Sequence, residues 1–173
     1  MMIRWLRFNT YLSCLVALLF CAGCETTKED RRKKKEMTLM RFHIETNPDG
    51  TERTTTVPVF RANPSQINIM KVPFLDEGSV AQAALVEGQG GGFMISVQFN
   101  HHGTLLLDNM TTTFRGQRVA VMAVFGETRW LAAPQIVRRL TDGILTFTPD
   151  CTHEEAERIV RGLNNVAKKL KDK

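Results

Sequence analysis

Gln117–Phe125 reads QRVAVMAVF, and Gly126-Glu127 then leads into Thr128–Ala133, TRWLAA. The first segment is almost continuously apolar and rich in β-branched residues, the pattern of a strand buried on both faces. Gly126-Glu127 suits a tight turn, so the second segment returns antiparallel to the first. Pro134 has no N–H for a ladder and ends that strand. A strand buried on both faces needs cover on either side, and the flanking sequence supplies candidates.

On the C-terminal side, Ile136–Leu140 has no clear pattern, Gly143 turns the chain, and Ile144–Thr148 predicts a strand. Thr152 and Glu155 have capping-box spacing, which opens a helix. Ala156, Ile159, Val160, Leu163, Ala167 and Leu170 give that helix one apolar stripe. Acids crowd its first turn and lysines its last, matching the helix dipole. Glu154–Arg158 and Glu157–Arg161 have the spacing of favourable i,i+4 pairs. On the N-terminal side, Phe93–Phe99 (FMISVQF) reads as a strand, and Val80–Glu87 fits either a strand or a helix. Asn100 is placed to cap a helix over His102–Phe114, shortened by Thr111-Thr112-Thr113 and stopped by Gly116. Leu39–Glu45 and Thr51–Phe60 flank the turn signal Asn47-Pro48-Asp49-Gly50 and predict a hairpin. Ile67–Val72 adds a short strand. The expected fold is α+β: a single domain, mainly antiparallel sheet, with two helices packed on it.

The first residues follow different rules. Arg4 and Arg7 precede the apolar stretch Tyr11–Ala22, which is followed by Gly23-Cys24. Roughly 20 apolar residues are needed to cross a bilayer as a helix, so this stretch suits a secretory signal better. Cys21-Ala22-Gly23-Cys24 resembles the lipobox of bacterial lipoprotein precursors, although Cys21 stands where that motif usually has leucine. The resemblance implies cleavage after residue 23 and acylation of Cys24, leaving the protein anchored by lipid on the periplasmic side of the cell envelope. Glu25, rather than aspartate, after the cysteine leans toward the outer membrane. The alternative is an ordinary secretory cut that releases a soluble protein. Residues 24–36 are polar throughout and read as a charged flexible tether, and residues 37–173 as the folded domain.

The charge of +5 and the pI near 9.2 change meaning once divided. The tether holds six bases (Lys28, Arg31, Arg32, Lys33, Lys34, Lys35) against Glu25, Glu29, Asp30 and Glu36. Lys168, Lys169, Lys171 and Lys173 crowd the C-terminus. Between them, residues 37–167 carry 11 bases and 13 acids, which gives no support to nucleic-acid binding. The basic run beside the anchor is placed either to touch anionic headgroups or to be simply solvated.

Other motifs read as structural. Cys14 and Cys21 leave with the signal and Cys24 takes lipid, so Cys151 has no partner for a disulfide. It precedes a helix, where a thiol can be activated, but no base is close in sequence and an inert thiol is the better reading. Gly88-Gln89-Gly90-Gly91-Gly92 lacks the lysine, Ser/Thr and helix of a phosphate loop and reads as a hairpin connection. His101 and His102 have no ligand partners at metal spacing, and His43 reads as a plain strand residue. No catalytic set, metal site, cofactor or small-molecule substrate is expected.

Residues 93–170 resemble the head subdomain of the first periplasmic domain of SecD, part of the SecDF protein-export machinery. The matching order is ISVQF, a helix with Gly103 and Leu107-x-x-Met110-Thr111, and Gly116-Gln117-Arg118-Val119-Ala120-Val121. A hairpin with Gly126 follows, then Ala132-Ala133-Pro134-x-Ile136, a stretch around Gly143, and Thr152-x-Glu154-Glu155-Ala156. The resemblance implies contact with a protein partner, either a secreted chain or an envelope protein, and carries over no catalytic residues. A structural envelope lipoprotein without an export role is the other class the sequence leaves open.

Overall fold

The structure is a computed structural model that describes residues 28, 30–88 and 91–172. The signal and Cys24 lie outside the described residues. The chain divides into two units, Met1–Lys35 and Glu36–Lys173. In the first, Lys28 and residues 30–35 are helical and almost wholly exposed. The charge there is solvated. The backbone is helical because Lys and Arg are good helix formers when nothing apolar needs burying.

The second unit is an α+β domain with eight strands among the described residues: β1 (Leu39–Ile44), β2 (Thr54–Val59), β3 (Ser65–Met70), β4 (Val80–Glu87), β5 (Phe93–Phe99), β6 (Val119–Val124), β7 (Thr128–Ala132) and β8 (Ile144–Phe147). Two helices join them, α1 (His101–Thr113) and α2 (His153–Lys171), with a 3-10 turn at Glu77–Ser79. Every strand pairing is antiparallel, but the strands divide into three sheets, ordered β1-β6-β7, β2-β3 and β4-β5-β8.

The β6–β7 hairpin forms as its sequence dictates, with Val121, Ala123, Leu131 and Ala132 buried. The ambiguous Val80–Glu87 is a strand, closed onto β5 by Gly88 N–H donating to Gly92 O at 2.7 Å. The hairpin expected between Leu39–Glu45 and Thr51–Phe60 does not form: β1 pairs with β6, and β2 with β3. Asp49 explains part of this. Its Oδ1 accepts from the Thr51 N–H and from the hydroxyls of Thr51 and Thr54, which winds residues 49–54 into their own turn. Meanwhile Met40, Phe42 and Ile44 are buried, and β6 offers the apolar partner they need.

Helix α1 matches the expected span to within a residue at each end and is not frayed by its threonines. It continues through all three threonines. Thr111 and Thr112 donate their hydroxyls back to Leu107 O and Asp108 O, and Thr111 is buried. On α2 the capping box is present, and Ala156, Ile159, Leu163 and Ala167 face the core. Leu170 is exposed, while Gly162 and Val166 join the buried face. The arginines of α2 leave their expected partners. Arg158 donates to Phe125 O, and Arg161 pairs with Glu36 at 2.8 Å. A buried main core joins both three-stranded sheets to the two helices, anchored by Phe42 edge-on to Phe99 at 5.2 Å. A smaller cluster of Val57, Val59, Ile67, Ile69 and Ala120 packs with Trp130.

Candidate functional site

Each edge of a sheet displays a row of backbone donors and acceptors that must find partners or water. On the outer edge of β4, Asn164 of α2 caps one residue, accepting from Ala83 N–H at 2.8 Å and donating to Ala83 O at 2.9 Å. On the outer edge of β1, Phe42 is paired. Phe42 N–H donates to Leu75 O, and Phe74 N–H to Phe42 O.

The outer edge of β8 borders an apolar groove. Ala83 turns its N–H and C=O toward Asn164, so Val97, opposite it on β5, turns its own toward β8. Val97 faces Leu145, so the backbone groups of Leu145 point to β5 and those of Ile144 and Thr146 point outward. Phe99 N–H donating to Gly143 O fits the same alternation. Ile144 N–H is taken by Asp142 Oδ1 at 3.1 Å. Among the described residues, the outward N–H and C=O of Thr146 have no hydrogen-bond partner.

This edge forms one wall of a groove. The segment after β7 forms the other, held against the start of β6 by Val119 N–H to Pro134 O and Ile136 N–H to Gln117 O. One stretch of the groove, about 370 Å³, lies among Val119, Ile136, Val137, Leu140 and Ile144. The next, about 530 Å³, lies among Phe60, Met94, Ala133, Phe147 and Pro149. Pro134 and Thr146 line both stretches, so the two run together along β8. Phe60, Val137 and Ile144 are large apolar side chains left exposed in this lining. Phe60 holds its place with a φ of 69°, and the next residue, Arg61, donates its N–H to Asp150 at 2.6 Å.

The polar groups suggested by sequence are not gathered here. Burial, and secondarily the Glu155 carboxylate, push the Cys151 thiol up to about 11, so it stays protonated and unreactive at neutral pH. His101 and His102 are exposed at the start of α1, with Asn100 as the cap accepting from Gly103 N–H. His43 is 5% exposed, and burial holds its pKa below the ordinary histidine value. Its Nδ1 lies 2.9 Å from Met70 O, so that nitrogen carries the proton, and the buried Nε2 has no partner. Among the described residues, no group of three or more His, Cys, Asp or Glu is placed to hold a metal ion.

Sequence reasoning missed the groove because its lining comes from segments with no periodic pattern. Ile136–Leu140 is the clearest case. The available signal was Ile144–Thr148 itself, a strand without the lysine or central proline that commonly protects an edge.

The antiparallel α+β domain has the fold of the SecD periplasmic domain. One similar structure belongs to SecDF, described as a membrane component that enhances protein export. It is 21% identical, with a TM-score of 0.55 over 80% of this chain and 68% of that one. A second, SecDF in a super-membrane-facing form, is 20% identical with a TM-score of 0.56. It matches 80% of this chain, which spans 20% of that longer chain. No protein-family description matches the chain, and no curated protein matches it. At these identities the likeness is one of fold.

Proposed function

We propose that this chain is a protein-binding module of the bacterial cell envelope that acts in protein export, anchored through acylated Cys24 and facing the periplasm. The observation that carries this reading is the SecDF-like fold, which extends over 80% of the chain. The groove along β8 supports it, since an apolar channel beside free backbone groups suits a polypeptide better than a small polar metabolite. The partners are secreted chains or envelope proteins, and the module binds them without catalysis. Among the described residues, no helix is long and apolar enough to cross a membrane. In this reading the chain is anchored by lipid on Cys24, and more than one acyl chain makes such binding effectively permanent. Glu25 favours the outer membrane.

Two experiments test the two halves of the reading. A Cys24→Ser variant should leave the membrane pellet and escape lipoprotein processing; retention with unchanged processing contradicts the anchor. Crosslinking in intact envelopes, followed by purification of the chain, should recover secretory substrates or translocase subunits. Recovery of stable envelope partners alone, with normal secretion after deletion, points instead to a structural lipoprotein.

A further inference from the structure

We infer that the outer edge of β8 is a strand-addition site, taking an extended apolar segment of an unfolded chain that carries an acidic residue at its Arg138 end. The inference rests on the binding role proposed above and names the substrate class and the contacts. Thr146 presents an unpaired N–H and C=O to the groove, and Ile144 C=O points the same way. An extended peptide satisfies such a row through its own backbone, whatever its sequence. Sequence preference then comes from the side chains that enter the two apolar stretches beside Ile136, Leu140 and Phe147.

Charge selects the occupant. Three ionisable residues line the groove: Arg138, Asp142 and Asp150. Asp142 accepts from Ile144 N–H, and Asp150 accepts from Arg61 N–H. Arg138 is exposed and has no hydrogen bond or ion pair among the described residues, so a carboxylate on the occupant is its natural complement. A second copy of this chain fits poorly. Antiparallel pairing of β8 on β8 about Thr146 brings Asp142, before the strand, toward Asp150, after it, at both ends, and like charges brought together oppose the pairing.

The test uses the full chain in detergent and a labelled, end-blocked peptide of alternating valine and threonine with one aspartate at its end. Two further peptides carry N-methyl groups on either the valines or the threonines, which removes the donors of one backbone edge. Binding by fluorescence anisotropy should weaken about tenfold for at least one methylated peptide, the loss of one or two backbone hydrogen bonds. Thr146→Pro should weaken it similarly with the circular dichroism spectrum retained, because the lost N–H points away from β5 and proline is tolerated on an edge strand. Arg138→Glu changes only an exposed side chain and should lower affinity several-fold, with lysine in place of the peptide's aspartate restoring it. Equal binding of all three peptides overturns the inference, as does a failure of the unmodified peptide to bind. So does wild-type affinity in Arg138→Glu, or a dimer in sedimentation that Thr146→Pro dissolves. Crosslinks to secreted chains in envelopes that persist after those results would leave the export role standing and place its contact elsewhere.

Discussion

His43 sits where a charge is least welcome. It is buried in β1 with its ring edge toward Trp130 at 5.3 Å, and burial, then Arg41, lowers its pKa from 6.5. A lowered folded pKa means that the unfolded chain takes up the proton first as pH falls. Stability is therefore full above about 6.5 and declines below it. His43→Phe keeps an aromatic partner for Trp130 and removes the titration. The melting temperature of the wild type should drop between about pH 7.5 and pH 5.5, while that of the variant stays level; parallel curves contradict the assignment. Gly162 is a second residue whose role shows only in three dimensions. In sequence it looks like a weak point in α2, yet a Cβ there meets the Thr38 backbone nitrogen at 2.8 Å. Alanine would improve helix propensity by about 1 kcal/mol, but overpacking costs typically 1–3 kcal/mol. Gly162→Ala should destabilise in urea denaturation, and a higher midpoint would show that β1 does not lie so close to α2.

Among the elements, those with strong local signals were legible in sequence. The β6–β7 hairpin and α2 carry their turn, their cap and their apolar pattern within a few residues. The pairing of β1 was not legible, because Asn47-Pro48-Asp49-Gly50 is a genuine turn signal and only the burial of Met40, Phe42 and Ile44 decides against the local hairpin. The i,i+4 pairs of α2 failed for a similar reason: Phe125 O and Glu36 offer its arginines partly buried partners across the fold. Asn164 links α2 to β4 through both backbone groups of Ala83. Asn164→Leu leaves a part-buried donor and acceptor unpaired, which should cost about 2–4 kcal/mol in chemical denaturation. A loss below about 0.5 kcal/mol would mean that the β4 edge is satisfied by water.

At the scale of the whole molecule, a recessed apolar channel runs beside the outer edge of β8, where the Thr146 backbone groups have no hydrogen-bond partner among the described residues. The α+β class and the SecD-like arrangement were legible from residues 93–170, since turns at Gly116, Gly126 and Gly143 punctuate the strands, each with φ above 0. The groove was not, because Phe60 is far in sequence from Val137 and Ile144, and the three line one groove only after β7 and β8 are placed. The reading proposed above has secreted chains bind along this groove. A photocrosslinking amino acid at Val137, in the groove, can be compared with one at Val72, 79% exposed and outside the groove lining. Irradiation of intact cells during secretion should join newly exported chains to the Val137 position and not to the Val72 position. Equal adducts at both positions, or none with exported chains at Val137, would contradict the account.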